Sequence, residues 1–338
     1  TLDSQKTSPK RLVESGLRLS DSLIWNLQSA FYGQEGIDAW RKGVVPSYIT
    51  SNAFIAQSYA RVIHRFLLDV QAKSGTPSQP IPIIELGAGH GRFSFLCLRH
   101  LLEVDRLSPI KAPPFVYIMT DLADANVQFW EAHDGLQPMA EGGVLDFATF
   151  DGDTPTAIHL RKAARHLRPG EGETPVVVIA NYVLDSLKQD IYRIAEGELN
   201  EGKVLWRGNG EGKPDFSDPS WIERLEIHFE HDAIEEDPYE DPSLNEILHN
   251  YARDLGDTSF CFPVGAFRCL DRLSALSDGQ LFLISADKGH NHAHQLLNHG
   301  DPSLVLPGRF SFSVNYHALG AWFDAGGGVA MPPSARWG

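Results

Sequence analysis

The apolar positions of the chain follow two different periods, and the two alternate over its central part. Short runs rich in β-branched residues predict buried strands, whereas apolar positions three or four residues apart predict amphipathic helices. The runs predict strands at 81–86, 115–120, 144–150, 175–180 and 280–286, and the helical spacing predicts helices near 92–104, 122–133, 154–168 and 265–276. This alternation favours an α/β fold with a doubly wound, mostly parallel sheet and helices on both faces.

The segments before this alternation have a helical pattern. Residues 10–45 and about 53–70 carry apolar positions at helical spacing, so we expect an N-terminal helical segment over 1–78. Thr50, Ser51 and Asn52 offer side-chain oxygens that would cap the second of these helices. We expect the same three residues to line the mouth of any site that lies nearby.

The later part of the chain predicts an interrupted second half of the sheet domain. Residues 191–258 break the alternation and predict an inserted cap or substrate-binding region with a strand pair and short helices. The main domain would then comprise 79–190 and 259–338. Residues 310–316 and 328–331 could supply the closing strands of a seven-stranded sheet, with a helix near 317–325 between them.

Composition narrows the classes of partner. With 42% hydrophobic residues in 338, the chain can bury a full core. Its 29 basic and 44 acidic residues give a net charge of −15, which disfavours nucleic acid and fits a basic protein or peptide, or a neutral small molecule. Three cysteines without C-x-x-C spacing predict a reducing compartment, no disulfide framework and no metal site.

The chain also lacks the patterns of secretion and membrane insertion. Its first ten residues are polar, and no run of about 18 apolar residues occurs. We therefore expect a cytoplasmic protein that does not span a membrane, and the oligomeric state stays open.

Residues 81–93, IPIIELGAGHGRF, carry the clearest chemical signal. An apolar run ends in Glu85, then Gly87, Gly89 and Gly91 alternate with Ala88 and His90, and a helical pattern follows. Glycines let the backbone approach a ligand closely, and a helix N-terminus leaves amide N–H groups for an anionic group. The pattern predicts a nucleotide-like cofactor at the end of the first sheet strand.

The glycine spacing favours one kind of cofactor. The dinucleotide fingerprint is G-x-G-x-x-G, whereas this chain has G-x-G-x-G preceded by an acid. That spacing resembles motif I of the class I S-adenosylmethionine-dependent methyltransferases, which implies a Rossmann-like fold and S-adenosyl-L-methionine as the cofactor. A nicotinamide or flavin fold and a fortuitous glycine-rich turn are the alternatives.

Three further strand ends carry polar side chains that could reach the same ligand, because ligands of such sheets bind outside the carboxyl ends of the strands. Asp121, next to Leu122, could accept hydrogen bonds from both ribose hydroxyls, or could cap the next helix. Asp151 could take the adenine amino group, with Asp153 as a rival or as a helix cap. Asn181 could bind the amino-acid end of the cofactor or position the nucleophile, or could be a turn residue.

Longer segments extend the resemblance to the MidA-like family of class I methyltransferases, which includes the mitochondrial complex I assembly arginine methyltransferase. The chain is similar to that family in motif I and, more weakly, in four further blocks. These read PSYITSNAFIAQSYARVIHRFL (46–67), IANYVLDSL (179–187), ISADKG (284–289) and FSVNYHAL (312–319). The resemblance implies an enzyme that transfers a methyl group to a protein side chain or another amine-type nucleophile, or to a small molecule.

The chain departs from the family on the substrate side. Tyr182 stands where the family block has Glu, and the segment PVGAFRCLDRL (263–273) lacks an expected Glu. These acids would suit a guanidinium substrate, so arginine specificity does not follow. The candidate catalytic residues are Asn181, Tyr182, Asp185 and Asp287. The rival hypotheses are a catalytically weak binding or assembly factor with the same fold, and an NAD-dependent oxidoreductase.

Two local compositions have less specific interpretations. Residues 223–257 contain 12 Asp or Glu and two Arg, which indicates a solvated acidic face or an electrostatic collar for a basic substrate. His290, His292, His294 and His299 lie close in sequence without an acid or Cys to complete a metal set, so a surface rim is the better interpretation.

Overall fold

The computed structural model of the protein describes residues 11–38, 49–154, 157–208, 214–302 and 310–333. By its internal contacts the chain divides into two compact units. The first unit comprises the described residues within Thr1–Phe31, Asp185–Phe267 and Lys288–Gly338, and the second comprises those within Tyr32–Leu184 and Arg268–Asp287. The domain boundaries expected from the sequence remain predictions.

The described elements are strands, α-helices and short 3-10 turns. The strands are β1 (Arg11–Arg18), β2 (Ile81–Leu86), β3 (Phe115–Asp121), β4 (Leu145–Thr149), β5 (Ile158–Leu160), β6 (Arg165–Leu167), β7 (Val176–Asn181), β8 (Asp190–Ala195), β9 (Glu198–Gly208), β10 (Leu225–Ala233), β11 (Thr258–Phe262), β12 (Leu281–Ala286), β13 (Gly289–His290) and β14 (Val314–Asn315). The α-helices are α1 (Ile24–Glu35), α2 (Ala53–Ser74), α3 (Arg92–Leu107), α4 (Asp124–Glu131), α5 (Gln137–Glu141), α6 (Pro242–Asp254), α7 (Val264–Ser274) and α8 (Tyr316–Ala325).

The second unit is built on a parallel sheet with the strand order β12-β7-β2-β3-β4. The chain runs outward from β2 through β3 to β4, and then returns to the other side of β2 for β7 and β12. This reversal is the switch point of a doubly wound α/β sheet, so the predicted mixed α/β architecture is confirmed. Every residue of β2 is buried, as expected of a central strand that is covered on both faces.

The prediction of seven strands is not confirmed, because this sheet has five strands in the part of the chain that is described. Of the expected closing strands, 310–316 supplies only Val314–Asn315, which pairs in parallel with Gly289–His290. Residues 328–331 form no strand. A strand of two residues is too short to leave a recognisable apolar pattern in the sequence, so its partner strand could not be predicted.

Helices α2 and α3 contribute much of the core of the second unit. Ile63 and Leu67 of α2 and Leu98 and Leu101 of α3 are almost fully buried in one cluster with the strands of the sheet. Asn52 caps α2, since its side chain accepts a hydrogen bond from the Ile55 amide at 3.0 Å. The prediction of a cap within Thr50–Asn52 is thus confirmed for Asn52.

The helix predicted near 154–168 is wrong, because β5 and β6 form an antiparallel hairpin there. The buried carboxylate of Asp146, on β4, explains the difference. It accepts hydrogen bonds from the amides of Lys162 and Ala163 at 2.8 and 2.9 Å, which fixes the turn between the two strands. A contact with the preceding strand therefore decides this segment, and the local apolar spacing does not show it.

The first unit is built on an antiparallel sheet. Strand β9 pairs with β1, β8 and β10, and β8 pairs with β11, so the strand pairing predicted for the 191–258 insertion is confirmed. Its core includes Trp25, Trp206, Phe310 and Phe312.

The helix predicted over 10–45 is wrong at its start and holds further on. Arg11–Arg18 is a strand against β9, with irregular register on either side of Glu14, and α1 follows it. Leu12, which suggested a helix at the start of this segment, is exposed, whereas Ile24, Leu27 and Phe31 of α1 are buried. The remainder of the predicted segment, from residue 39 to residue 45, lies outside the described residues.

Within the described ranges, none of the helices combines the length and the apolar character needed to cross a membrane.

Candidate functional site

The carboxyl ends of the five parallel strands bring most of the predicted site residues to one edge of the sheet. The turn at Gly87 follows the central strand β2, Asn181 ends β7 on one side of it, and Asp121 ends β3 on the other. Asp287 follows β12, and Asp151 lies just beyond β4. Neighbouring strands lie about 4.8 Å apart, so these residues follow one another along the edge in the order Asp287, Asn181, Gly87, Asp121 and Asp151.

The loop between β2 and α3 is held by hydrogen bonds to the neighbouring strand and helix. The Gly89 amide donates to Asp121 Oδ2 at 3.0 Å, and the Gly89 carbonyl accepts from Trp130 Nε1 at 2.9 Å. The Ala88 amide donates to the Thr120 carbonyl at 2.9 Å. Because the loop is fixed on both sides, its shape is set before any ligand binds.

All three glycines of the loop have positive φ, at 57° for Gly87, 55° for Gly89 and 75° for Gly91. L-residues seldom adopt this conformation, so the spacing of the motif follows from backbone geometry. A Cβ on Gly87 would lie 2.8 Å from Val183 Cγ2, and one on Gly91 would lie 2.9 Å from Met119 Cε. A side chain at either position would therefore have to displace a neighbouring side chain.

Glu85 faces the core. The residue is 5% exposed, and its carboxyl group accepts hydrogen bonds from Ser94 on α3 and, at 2.8 Å, from Tyr117 on β3. Burial raises the pKa of Glu85 to about 7, although the hydrogen bonds from Ser94 and Tyr117 act in the opposite direction. These contacts tie the helix that follows the loop to the sheet, whereas the cofactor contact predicted for Glu85 stays a prediction.

Asp121 is buried and bonds the backbone on both sides. Besides the Gly89 amide, its carboxylate accepts from the Ala123 amide at 3.0 Å. Burial raises the pKa of Asp121, and the hydrogen bonds from the Ala123 and Gly89 amides oppose the shift. The arrangement combines the two interpretations of the sequence, since Asp121 supports the turn before α4 and lies at the strand end where ribose contacts are expected. Leu122 beside it is exposed.

Asp151 lies in a turn that helix α7 supports. Its Oδ1 accepts from the Asp153 amide at 2.9 Å, and Arg272 donates to the Gly152 carbonyl. Asp151 is half-buried, so one carboxylate oxygen organises the turn while the residue keeps access to solvent. Its predicted contact with adenine stays a prediction.

Asn181 and Tyr182, at the end of β7, each have an uncommon feature. Asn181 Oδ1 accepts from the Tyr59 hydroxyl at 2.9 Å, whereas the buried Asn181 Nδ2 has no hydrogen-bond partner among the residues that the structure describes. Tyr182 has a φ of 54°, and its amide donates to the Ala286 carbonyl at 3.0 Å. A non-glycine residue at positive φ is uncommon and occurs often at functional sites.

Asn181, Tyr182 and Asp287 lie together at the ends of β7 and β12, and Asp185 belongs to the other unit. Ala286 pairs with Asn181 across β12 and β7, which puts Asp287 at the strand end next to Tyr182. Asp185 belongs to the first unit, where its buried carboxylate accepts from Ser186 at 2.8 Å and lies 3.9 Å from Lys288 Nζ. Of the four candidate catalytic residues, three therefore share one strand-end cluster.

Sequence reasoning missed the residues that shape the loop and orient Asn181. Trp130, Thr120 and Tyr59 looked like ordinary apolar or strand positions, because each lies in a helix or strand whose period accounts for it. The only signal in the sequence is the aromatic size of Trp130 and Tyr59 on faces that turn toward the sheet.

The histidines of segment 290–299 lie in the first unit. The His290 and His299 rings are 5.2 Å apart, and those of His292 and His294 are 5.4 Å apart. Over the described ranges, no three His, Cys, Asp or Glu side chains are grouped so that they could hold a metal ion. The three cysteines are buried and unbridged, and burial raises the pKa of the Cys261 and Cys269 thiols to about 12.

No family model and no curated protein matches the chain. Among solved structures, it is similar to an uncharacterised protein from Burkholderia thailandensis, at 16% identity and a TM-score of 0.49, over 91% of this chain and 76% of that one. A second Burkholderia thailandensis protein, bound to S-adenosyl-homocysteine, matches at 16% identity and a TM-score of 0.46, over 91% and 77%. The DszA carbon methyltransferase matches at 17% identity and a TM-score of 0.28, over 48% and 39%. All three TM-scores lie below 0.5, so function must be argued from the residues of the site.

Proposed function

We propose that the protein is an S-adenosylmethionine-dependent methyltransferase whose cofactor site is the strand-end edge of the second unit. The observation that carries the proposal is a fixed loop with three glycines at positive φ, next to a buried amide nitrogen on Asn181 that has no partner among the described residues. A buried N–H group without an acceptor destabilises the folded protein, and a ligand that supplies an acceptor removes this cost.

The residues at this edge fit an adenosyl amino acid. Gly87–Gly91 would lie beside its centre, Asp121 would bind the ribose hydroxyls, and Asp151 would bind the adenine amino group. Asn181 would bind the amino-acid end. The bound cofactor would supply the transferable methyl group, and the protein would hold the acceptor in line with it and exclude water.

The same loop fits a dinucleotide less well. A pyrophosphate binds through backbone N–H groups of the glycine loop and the helix N-terminus. Here the Gly89 amide already donates to the Asp121 carboxyl group, so one of these donors is taken. A carboxylate next to the loop also repels phosphate and attracts a sulfonium.

We further propose a protein side chain or another amine-type nucleophile as the methyl acceptor. The net charge of −15 and the acid-rich segment 223–257 support a basic acceptor. An amine must lose a proton before or during transfer, and Tyr182 and Asp287 are the candidates for that role at the strand ends. This acceptor class depends on the cofactor assignment and is tested separately from it.

Cofactor binding is tested by titration calorimetry with S-adenosyl-homocysteine, S-adenosylmethionine, NAD and FAD. We expect the two adenosyl amino acids to bind and the two dinucleotides not to. Binding of NAD or FAD without binding of S-adenosyl-homocysteine would overturn the proposal in favour of an oxidoreductase.

A glycine variant connects that binding to the loop. Gly89→Val places a β-branched residue at a φ of 55°, so we expect S-adenosyl-homocysteine binding to be lost. Gly143→Val is the matched control, because Gly143 also has positive φ, at 74°, but has open space around its Cβ position. Equal cofactor affinity in both variants would place the site elsewhere.

Turnover is tested with radiolabelled S-adenosylmethionine and cell extract. We expect label in protein or in an amine-containing small molecule with the wild-type chain, and none with Gly89→Val. Cofactor binding without any transfer would favour the catalytically weak binding or assembly factor.

A further inference from the structure

Tyr59 reaches the strand-end cluster from helix α2. Its hydroxyl donates to Asn181 Oδ1 at 2.9 Å, and its ring packs edge-on against Phe93 of α3 with 5.4 Å between the ring centroids. The ring contact fixes the direction of the side chain, so the hydroxyl meets the amide in one geometry. Burial raises the pKa of Tyr59 to about 12, which keeps the phenol protonated and able to donate at neutral pH.

This hydrogen bond decides which end of the Asn181 amide is available. An amide has an acceptor oxygen and a donor nitrogen that occupy nearly the same volume, and only the hydrogen-bond network distinguishes them. The phenol takes the oxygen, and the buried nitrogen is left without a partner among the described residues. Asn181 therefore presents a donor.

A donor at this position selects a ligand group that accepts. The amino-acid end of S-adenosyl-homocysteine carries a carboxylate, which only accepts, and an ammonium, which only donates. A protonated methyl-acceptor amine would also only donate, and a deprotonated one needs its lone pair to attack the methyl group. The carboxylate is therefore the group that Asn181 Nδ2 can bind with a charge-assisted hydrogen bond.

We infer that Tyr59 is a positioning residue, which orients the Asn181 amide so that its nitrogen binds the carboxylate of the adenosyl amino-acid ligand. This inference rests on the proposed function. It assigns Asn181 to cofactor binding rather than to the methyl acceptor, and it gives helix α2 a role in ligand affinity.

The test compares two ligands that differ at the amino-acid end. 5′-Methylthioadenosine keeps the adenosyl and thioether parts of S-adenosyl-homocysteine but lacks the carboxylate. Calorimetry measures the affinity of both ligands for the wild type, Tyr59→Phe, Asn181→Leu and the double variant. Tyr59→Phe keeps the ring that packs on Phe93 and removes only the hydroxyl.

We expect each single variant to weaken S-adenosyl-homocysteine binding about tenfold and to leave methylthioadenosine binding unchanged. The double variant should lose no more than Asn181→Leu alone, because the two residues act through one hydrogen bond. Tyr251→Phe is the matched control. It removes a phenol hydroxyl in the first unit that donates to Asn315 at 3.3 Å, and it should change neither affinity.

Three outcomes would overturn the inference. If Tyr59→Phe leaves the S-adenosyl-homocysteine affinity unchanged, Tyr59 has no role in ligand binding. If the variant loses equal affinity for both ligands, the role of Tyr59 is merely structural. Additive losses in the double variant would show that Tyr59 acts independently of Asn181. If the wild type binds neither ligand, the proposed function itself fails and the inference fails with it.

Discussion

Two of the three loop glycines lie in close contact with side chains inside the protein. Gly87 faces Val183 and Gly91 faces Met119 and Trp130, so a side chain at either position would displace a neighbour. At the residue scale, the glycines of the motif thus serve the packing of the loop as well as its close contact with a ligand. A glycine pattern in a sequence does not separate these two causes.

The contact at Gly87 can be measured separately from its backbone strain. Gly87→Ala should lower the free energy of unfolding by about 1–3 kcal/mol, because Ala must adopt a φ of 57° and its Cβ would lie 2.8 Å from Val183. Gly143→Ala shares the positive φ but meets no atom within 4 Å, so it should cost less. Denaturant unfolding measures the stability of both variants. Equal losses of stability would show that Val183 moves aside without an energetic cost.

Glu85 gives the second unit a defined dependence on pH. Its pKa rises from 4.5 in the unfolded chain to about 7 in the folded one, mainly because it is buried. The stability that this group contributes is therefore fully present below pH 4.5 and is lost as the pH rises through 7. The loss amounts to about 3 kcal/mol.

The variant Glu85→Gln should remove this dependence, because an amide does not titrate in this range. The measurement is the free energy of unfolding of both proteins from pH 4.5 to 8. We expect the wild type to lose stability relative to the variant as the pH rises. A constant difference between the two would contradict the shifted pKa.

At the scale of elements, helix α2 carries both a cap that the sequence predicts and a residue that reaches the candidate site. Asn52 both accepts from the Ile55 amide and donates to the Ile49 carbonyl, which fixes the start of the helix. Seven residues later, Tyr59 projects from the same helix to Asn181. The cap could be predicted from residue type, whereas the contact of Tyr59 depends on where the helix packs.

Removing this cap should destabilise the helix without affecting the cofactor. Asn52→Ala should lower the free energy of unfolding by about 1 kcal/mol, and Asn52→Ser should recover most of it, since Ser also accepts at an N-cap. Thermal unfolding gives the stability, and calorimetry gives the S-adenosyl-homocysteine affinity. A lower affinity in both variants at full stability would instead support a role for Thr50–Asn52 at the mouth of the site.

At the scale of the whole molecule, the chain forms two units with separate cores. The candidate cofactor residues lie in the second unit, while Asp185 and the acid-rich segment 223–257 lie in the first. Each unit is assembled from segments that are distant in sequence, so the order of elements along the chain does not coincide with the division into units.

Ligand binding should be visible in one unit above all. A ligand at one hundred times its Kd stabilises the state that binds it by about 2.7 kcal/mol. Hydrogen exchange with saturating S-adenosyl-homocysteine should therefore slow in peptides that cover 81–91, 115–124 and 176–182. Protection confined to peptides of the first unit would contradict the proposed site.

The sequence predicted the part of the fold in which every strand is a buried apolar run. The five strands of the parallel sheet, helices α3, α4 and α7 and the glycine loop follow from period and residue type, because burial leaves a strong pattern. The predictions failed at Arg11–Arg18 and at Ile158–Leu167, where pairing with β9 and the carboxylate of Asp146 decide the structure. β9 lies far away in sequence and Asp146 belongs to the preceding strand, so the apolar spacing within each segment shows neither contact.

The sequence by itself thus determined a doubly wound sheet and a fixed glycine turn at the end of its central strand, because both depend on properties of adjacent residues. Only the tertiary structure decided that Glu85 turns inward, that Asp121 bonds the Gly89 amide and that Tyr59 takes the oxygen of Asn181. Each of these is a hydrogen bond between residues at least 32 positions apart, and its direction depends on how helices and strands pack.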